Sequence, residues 1–510
     1  MLELKNITVG FGDDNVVTEV DLTLDKGETL LICGAGSSGK TTLMNTASGI
    51  LPRLIHPRSF GGTVTLNGID FSEIPRDQLF SSISIVGQNI EDQLWDLSVE
   101  DLIAFPLENR GMAKAEIREK QASLIAELEL EALLGRSVMT LSGGERRMAG
   151  IGSALAISPE VLVLDEPTTG LDPAARQRLV RAMKQAAGDV SATLIAEQDA
   201  ASLIEIVNHV ALLSNGKLSP SQPIGDISSH AAPWLDAGVL PPFHRRPPAI
   251  NSQCGAEVLN VAHIRTDLKR ASGKPVLDDV SFDLHKGEVI SLIGRNGAGK
   301  TTLFQSILGL AKTAVGNIII DGQTATDWTP ARRARKVAYL PQNMRRILFN
   351  FTVLEEVLFA ITASTAKNHS SDIIERAQSK LDRYGLGTLA EANPFALSAR
   401  QQALLGLACA EAANSPVVIL DEPLLARDRY GREMLDQFLK TAIGNDVAVM
   451  VISHDLELVD DITSRTLILE DGQIVFDGPT GDAWTSSSFV GLGWPAPTRP
   501  MTDTMEGAVQ

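Results

Sequence analysis

Two glycine-rich stretches decide the fold of this chain: GAGSSGKTT at residues 34–42 and GRNGAGKTT at residues 294–302. A short apolar run precedes each of them, TLLIC in the first case and VISLI in the second, and a helical pattern follows. Short apolar runs bounded by turn residues are typical of buried strands. A strand, a glycine-rich turn and a helix in this order predict an α/β protein built on a parallel sheet.

The chain is an internal repeat. Gly34 and Gly294 begin the two stretches 260 residues apart, and VLVLDEP, ending at Pro167, recurs as VVILDEP 256 residues later, ending at Pro423. Markers that recur in order at nearly constant spacing predict a duplicated domain. We expect a first domain at residues 1–217 and a second at 256–482. The proline-rich residues 218–255 are predicted to form a semi-rigid linker, and residues 483–510 a poorly ordered tail.

Composition excludes several classes of protein. Of the 510 residues 44% are hydrophobic, which is too many for a disordered chain. Lys and Arg number 45 against 63 Asp and Glu, and the net charge of −18 argues against a general nucleic-acid binder. No apolar run approaches the ~18 residues of a membrane span, and the first residues lack the features of a signal peptide. We therefore expect a cytoplasmic protein that reaches a membrane only through a partner.

Both glycine-rich stretches match the phosphate-binding spacing G-x-x-x-x-G-K-[ST]. Glycines let backbone N–H groups surround a phosphate, and the start of the next helix adds the positive end of its dipole. We expect Lys40 and Lys300 to reach the β- and γ-phosphates, and Thr41 and Thr301 to bind Mg²⁺. A turn without a ligand is the alternative, and two matches in register disfavour it. The predicted phosphate-binding residues are Gly34, Ala35, Gly36, Ser37, Ser38, Gly39, Lys40, Thr41 and Thr42, and Gly294, Arg295, Asn296, Gly297, Ala298, Gly299, Lys300, Thr301 and Thr302.

Two carboxylates follow a buried strand in each half. Asp165 and Glu166 end the first strand, and Asp421 and Glu422 end the second. Downstream of a phosphate loop, the first carboxylate of each pair is expected to hold the Mg²⁺ shell, and the second to polarise the attacking water.

LSGGE at residues 141–145 stands just before the first carboxylate pair, and it resembles the signature motif of the ABC ATPases. The resemblance covers both halves and implies two P-loop NTPase domains, each with a RecA-like parallel-sheet core, an antiparallel β subdomain and a helical subdomain. It also implies ATP and Mg²⁺ as cofactors and head-to-tail pairing of the halves, so that Ser142, Gly143 and Gly144 face the ATP of the other half. It places Gln88 and Gln342 near the metal and the attacking water. Phe11 stands where the family has an aromatic residue that stacks on adenine, with a plain core residue as the alternative.

The sequences that follow these two glutamines, QNIEDQLWDL from Gln88 and QNMRRILFNF from Gln342, resemble a narrower group, the ATPases of energy-coupling factor (ECF) transporters. That resemblance implies uptake of a vitamin or metal ion, with a transmembrane coupling subunit and a substrate-binding membrane subunit as partners. It places the chain at the cytoplasmic face of the membrane, without nucleic acid. Ile90, Met344 and Leu348 depart from the pattern. The alternatives are a fused ATPase of a sugar-type importer and a soluble ribosome-associated tandem ABC protein.

The two halves differ at positions that matter for hydrolysis. The second signature reads LSARQ at residues 397–401, so that Ala399 and Arg400 replace two glycines. The segment after the second carboxylate pair is also degraded, and the switch position holds His454 in the second half but Gln198 in the first. Under head-to-tail pairing all three departures fall in one site. We predict one hydrolytic site, with Glu422 and His454, and one degenerate site that binds ATP but turns over slowly, where Arg400 could pair with the phosphate in place of the lost glycines. The alternative is that these replacements have little effect.

Overall fold

The computed structural model describes residues 1–88, 96–186, 190–242, 255–270, 272–366, 368–423, 425 and 428–497. The chain divides into two compact units, residues 1–244 and 245–510. Within the described ranges, no helix combines the length and apolarity that a membrane span requires.

The first unit alternates strands and helices. Its strands are β1 Leu2–Gly10, β2 Asn15–Leu24, β3 Thr29–Cys33, β4 Ser59–Leu66, β5 Ile69–Asp70, β6 Ile83–Val86, β7 Val161–Asp165, β8 Ala192–Glu197, β9 His209–Ser214, β10 Lys217–Leu218 and β11 Gln222–Pro223. Its helices are α1 Lys40–Ala47, α2 Ile50–Arg53, α3 Arg76–Ser82, α4 Val99–Asn109, α5 Lys114–Glu127, α6 Gly143–Ala156, α7 Pro173–Ala186, α8 Ile224–Ile227 and α9 Ala231–Asp236.

Two sheets build this unit. The antiparallel sheet has the strand order β2-β1-β4-β5, and the main sheet has the order β10-β9-β3-β8-β7-β6, with β11 also pairing with β9. Strands β6, β7, β8, β3 and β9 run parallel, as crossover helices require. Side chains alternate along β3, so that Leu30 and Ile32 face the core under the antiparallel sheet, while Leu31 and Cys33 face the core under the helices. Cys33 is therefore a small buried apolar residue.

The second unit repeats this plan. Its strands are β12 Glu257–Thr266, β13 Val280–His285, β14 Val289–Ile293, β15 Thr313–Ile320, β16 Gln323–Thr324, β17 Val337–Leu340, β18 Val417–Asp421, β19 Ala448–Ile452, β20 Arg465–Glu470 and β21 Gln473–Pro479. Its helices are α10 Lys300–Leu308, α11 Pro330–Arg333, α12 Val353–Thr362, α13 Ser371–Arg383, α14 Ala399–Ala413, α15 Arg429–Gly444, α16 Leu456–Ile462, α17 Thr480–Ala483 and α18 Ser487–Leu492.

Its sheets have the orders β13-β12-β15-β16 and β17-β18-β19-β14-β20-β21. In each unit the phosphate loop joins a central parallel strand to a helix, β3 to α1 and β14 to α10, and helices α4–α6 and α12–α14 pack together as the helical subdomain. The predicted fold class, two P-loop domains with parallel-sheet cores, antiparallel subdomains and helical subdomains, is confirmed.

The structure differs from the sequence prediction after each domain. Residues 218–242, predicted to form a semi-rigid linker, carry β11, α8 and α9, and Trp234 is fully buried with its indole N–H donating to Ile227 O at 3.1 Å. Residues 483–497 carry α18, with Phe489 buried, rather than a poorly ordered tail. The proline and serine content of these two segments predicted a linker and a tail. Each segment instead packs on its own unit through one buried aromatic side chain, Trp234 in the first unit and Phe489 in the second. Residues 243–254 and 498–510 lie outside the described residues.

Candidate functional site

The first phosphate loop is a tight turn between β3 and α1. Gly39 has a left-handed backbone, with φ of 106°, and a Cβ there would lie only 3.0 Å from Val16 O. Glycine is therefore required at this position. Lys40 is buried, and its Nζ donates to Gly34 O at 2.8 Å and to Ala35 O at 2.9 Å, so the ammonium group curls back over the loop.

The carboxylates at the end of β7 lie beside this loop. Burial raises the pKa of Asp165 to about 6, although the adjacent Thr41 hydroxyl and Lys40 act in the opposite direction. Neither carboxylate oxygen of Asp165 makes a well-formed hydrogen bond with the described part of the chain, and the buried Ser38 hydroxyl lacks one as well. Buried polar atoms of this kind normally have a partner.

These atoms fit Mg²⁺ and a phosphate. A carboxylate and a hydroxyl are hard oxygen ligands of the kind that Mg²⁺ binds, and Asp165 and Thr41 supply them at the end of a phosphate loop. Thr41 and Asp165 would therefore hold the metal in the first unit, and Thr301 and Asp421 occupy the same positions in the second.

Glu166 is enclosed by amide donors. Its carboxylate accepts from Gln198 Nε2 at 2.6 Å and from Gln88 Nε2 at 2.9 Å, and Lys40 Nζ lies 3.9 Å away. Only 7% of the Glu166 side chain is exposed. The structure thus brings together Gln88, Glu166 and Gln198, as the sequence predicted, and it ties the carboxylate to two donors.

A buried arginine binds the backbone carbonyl groups of Glu166 and Gln88. Arg147, on α6, donates from one guanidinium nitrogen to Glu166 O at 2.7 Å and from the other to Gln88 O at 2.8 Å. Arg147 is not identifiable as a site residue from the sequence, since nothing in the local pattern shows which carbonyl groups its guanidinium reaches. A second missed residue is Glu197, fully buried, which accepts from the Thr168 hydroxyl at 2.6 Å.

The second phosphate loop has the same shape with different neighbours. Gly299 has φ of 115°, and Lys300 Nζ donates to Gly294 O at 2.5 Å and to Arg295 O at 3.2 Å. Burial raises the pKa of Asp421, against a hydrogen bond of 2.9 Å from the Tyr339 hydroxyl, which lowers it. Tyr339 also stacks on Phe304, with ring centroids 4.5 Å apart.

Glu422 is more open than Glu166. Its side chain is 21% exposed, and His454 Nε2 lies 3.4 Å from its Oε1. Gln342 is exposed and makes no hydrogen bond to Glu422 among the described contacts, unlike Gln88 in the first unit. The other carboxylate oxygen, Oε2, accepts from the His454 backbone N–H at 3.3 Å and from the Ser453 hydroxyl at 3.5 Å, so the carboxylate lies against the switch residue of its own unit.

Both glutamates have a left-handed backbone, with φ of 51° at Glu166 and 49° at Glu422. Each is fixed by its own N–H, which donates at 2.8 Å to the neighbouring strand, to Ala196 O and to Ile452 O respectively. Non-glycine residues rarely adopt this conformation.

The signature serines cap helices in both units. Ser142 is the N-cap of α6 and forms a capping box with Glu145, and Ser398 forms the same box with Gln401 at the start of α14. Helix N-termini bind anions, so this geometry is suited to a phosphate. Whether either serine faces ATP of the other half stays a prediction.

Arg400 is already engaged within its own unit. Its guanidinium lies 3.4 Å from the carboxylate of Asp428 and 4.6 Å from the ring centroid of Tyr430. Pairing of Arg400 with a phosphate stays a prediction, and it would require the guanidinium to leave Asp428 and Tyr430. Leu424, Ala426 and Arg427 of the same degraded segment lie outside the described residues.

Phe11 is 51% exposed, so the alternative that it is a plain core residue is wrong. Its stacking on adenine stays a prediction. In the second unit Arg265 is half exposed and pairs with Asp278 at 2.6 Å.

Two phosphate loops, each followed by a paired carboxylate and a capped signature helix, define a tandem nucleotide-binding ATPase. The sequence matches the ABC transporter family over residues 17–169 and 277–425, once in each unit. The chain therefore belongs to the ABC transporter family, and membership implies ATP binding and hydrolysis with Mg²⁺.

Relatives support this assignment along the whole chain. A protein of Methanosarcina mazei is 29% identical, with 99% of this chain and 93% of the relative aligned, and one of Treponema denticola is 30% identical, with 93% and 96% aligned. Both are provisionally named ABC transporter ATP-binding proteins.

Solved tandem structures share the fold. RNase-L Inhibitor is 20% identical, with a TM-score of 0.63 over 93% of this chain and 90% of its own. An archaeal ribosome recycling factor, solved with a ribosomal stalk protein, is 21% identical, with a TM-score of 0.62 over 92% and 88%. At this identity the likeness shows the fold alone.

Proposed function

We propose that this chain is the ATP-hydrolysing subunit of a membrane importer of the ECF type, which takes up a vitamin or a metal ion. It works at the cytoplasmic face of the membrane with a transmembrane coupling subunit and a substrate-binding membrane subunit. The observation that carries this proposal is the exposure of three large apolar side chains in the second unit. Phe349 and Phe351, which follow Gln342 along the chain, are 54% and 82% exposed, and Phe395 is 44% exposed.

The segment that carries Phe349 and Phe351 is held in a fixed shape. Glu356, buried on α12, accepts from the backbone N–H groups of Phe349 at 2.6 Å and Asn350 at 2.8 Å. Phe349 also packs edge-to-face on Phe359, with centroids 4.8 Å apart. Large exposed apolar side chains in contiguous patches mark interaction sites. A fixed segment that exposes large apolar side chains downstream of Gln342 suits a helix of a membrane partner. The equivalent first-half segment, residues 89–95, lies outside the described residues.

Within the proposal the two halves hydrolyse ATP unequally. Glu166 is bonded to two amide donors and is nearly buried, so its oxygens are poorly placed to accept a proton from water. Glu422 faces His454 and is more exposed. Arg400 holds the second signature against Asp428. These contacts support a hydrolytic site with Lys300, Thr301, Glu422 and His454, and a degenerate site with Lys40, Thr41 and Glu166.

The residues of the hydrolytic site have separate tasks. A bound nucleotide would supply the phosphoryl group that is transferred to water, and Mg²⁺ would neutralise the charge on its phosphates. Lys300 neutralises phosphate charge, and Thr301 and Asp421 hold the metal. Glu422 accepts the proton of the attacking water, while His454 and Gln342 orient it.

Two charge-neutral substitutions test the asymmetry. Glu422→Gln is expected to remove nearly all ATPase activity of the purified chain, whereas Glu166→Gln retains most of it. Binding of a fluorescent ATP analogue serves as the control, because both variants keep their phosphate loops. Loss of activity in Glu166→Gln with activity retained in Glu422→Gln contradicts the assignment.

The importer assignment is tested by affinity purification from detergent-solubilised native cells, followed by mass spectrometry. A small multi-helix membrane protein together with a second, substrate-binding one is expected. Phe351→Asp should release both without changing ATPase activity of the isolated chain. Membrane partners of the sugar-importer type, or ribosomal proteins retained at low salt and lost at high salt, contradict the ECF assignment.

A further inference from the structure

Residues 484–494 of the second unit pack close to His454. We call residues 484–494 the terminal segment. Trp484 Nε1 donates to Asp460 Oδ1 at 2.7 Å, and the ring of Trp484 packs edge-to-face on Phe489, with centroids 5.1 Å apart. Phe489 is buried. These contacts fix the segment against α16, the helix that begins two residues after His454.

The second phosphate loop holds the terminal segment by a side chain. Arg295, the second residue of the loop, donates from its guanidinium to Gly491 O at 3.0 Å and Leu492 O at 2.9 Å. These are carbonyl groups at the C-terminal end of α18, which otherwise lack partners within the helix. The backbone carbonyl of the same arginine accepts from Lys300. One residue thus contacts both the terminal segment and the lysine that the proposal places on phosphate.

The terminal segment also touches the switch histidine. The Trp494 ring packs edge-to-face on the imidazole of His454, with centroids 5.8 Å apart and planes at 75°. Trp494 is only 6% exposed. On the side of the imidazole that carries Nε2, Glu422 lies 3.4 Å away. The indole therefore limits the rotation of a histidine whose orientation decides whether it faces Glu422.

The first unit has the same segment without these contacts. Gly238 and Gly493 both end a short helix with a left-handed backbone, and Val239 and Trp494 follow them. Gly238 lies against Ala35, which stands at the position of Arg295 and has no side-chain donor. Val239 is buried but has no ring, and Gln198 replaces His454.

We propose that Arg295 and Trp494 are positioning residues for hydrolysis in the second unit. Trp494 orients the His454 imidazole towards Glu422, and Arg295 keeps Trp494 in place by tying the terminal segment to the phosphate loop. This inference rests on the proposed role of His454 in hydrolysis. It adds a reason why the second unit, and not the first, is the hydrolytic one.

The experiment uses full-length chains with Trp494→Ala, Trp494→Phe and Arg295→Ala, and with Val239→Ala as the matched control in the first unit. Trp494→Ala is expected to lower kcat about tenfold with KM for ATP changed less than twofold, because the phosphate loop is untouched. Trp494→Phe keeps an edge-to-face ring and should recover kcat to within about threefold. Val239→Ala should leave kcat unchanged.

A second measurement separates positioning from plain loss of stability. The imidazole carbon-bound proton signals of His454, assigned by His454→Gln, carry the ring-current shift of Trp494. They are expected to move in Trp494→Ala and in Arg295→Ala, and to stay in Val239→Ala. Unchanged signals and unchanged kcat in Trp494→Ala overturn the proposal. So does a loss of kcat that Trp494→Phe does not recover while the melting temperature falls. An unmodified chain without ATPase activity refutes the proposed function instead, and the His454 signals then decide the contact alone.

Discussion

Replacing Arg147 by alanine should markedly lower the free energy of unfolding of the first unit. The buried guanidinium makes two hydrogen bonds, to Glu166 O at 2.7 Å and to Gln88 O at 2.8 Å. Hydrogen bonds that involve a charged group contribute roughly 1.5–3 kcal/mol each, so the pair contributes at least about 3 kcal/mol to the free energy of unfolding. The substitution also leaves two carbonyl groups without their donor.

Native-state hydrogen exchange measures this loss unit by unit. A decrease of about 3 kcal/mol corresponds to roughly 150-fold faster exchange of the most protected amides. We expect this acceleration in β7 and α6, with β18 and α14 of the second unit as the internal reference. Arg146→Ala is the matched control, since Arg146 is partly exposed and donates to Leu141 O at 2.9 Å. Acceleration below about tenfold in Arg147→Ala, or equal acceleration in both units, refutes the reasoning.

Three further predictions follow from single contacts. Ser142→Ala and Ser398→Ala should each lower the free energy of unfolding by about 1 kcal/mol through loss of a helix cap, measured by urea unfolding. Only Ser142→Ala should also reduce ATPase activity, and equal activity losses would contradict the asymmetry. Burial, together with the hydrogen bond to Glu411 and the charge of that group, raises the pKa of Tyr384 above its ordinary value of 10.0. The folded chain then keeps a proton that the unfolded chain loses, so the contribution of Tyr384 to stability is complete below about pH 10 and falls above it. Tyr384→Phe should flatten this fall above about pH 10, and an unchanged slope there argues against it. EDTA should abolish ATPase activity without lowering the melting temperature of the nucleotide-free chain, because Asp165 and Asp421 would hold Mg²⁺ only together with nucleotide. A lowered melting temperature would point to a metal that binds without nucleotide.

The sequence predicts the fold and the phosphate loops well because their signals are local. Each loop is one contiguous stretch, the carboxylate pair follows one apolar strand, and the signature serine begins one helix. The structure brings Gln88 and Gln198 to the carboxylate of Glu166, and it places Lys40, for which phosphate binding stays a prediction, 3.9 Å from the same carboxylate.

Contacts that depend on distant parts of the chain could not be predicted in this way. Arg147 reaches a carbonyl 59 residues away, and Arg295 reaches one 197 residues away. Composition alone also did not predict the helices in residues 218–242 and 483–497. Burial of one large apolar side chain in each segment, Trp234 and Phe489, stabilises these helices although prolines and serines surround it.

The left-handed backbone at Glu166 and Glu422 has a consequence for how this protein can change. Such a conformation costs a residue with a side chain on the order of 1–2 kcal/mol, which glycine does not incur. Glycine at either position would remove this backbone cost, but in the first unit it would also leave the Gln88 and Gln198 amides without the carboxylate that accepts from them. Such a conformation persists only where the surrounding structure fixes it, here through the N–H of each glutamate, which donates to the neighbouring strand.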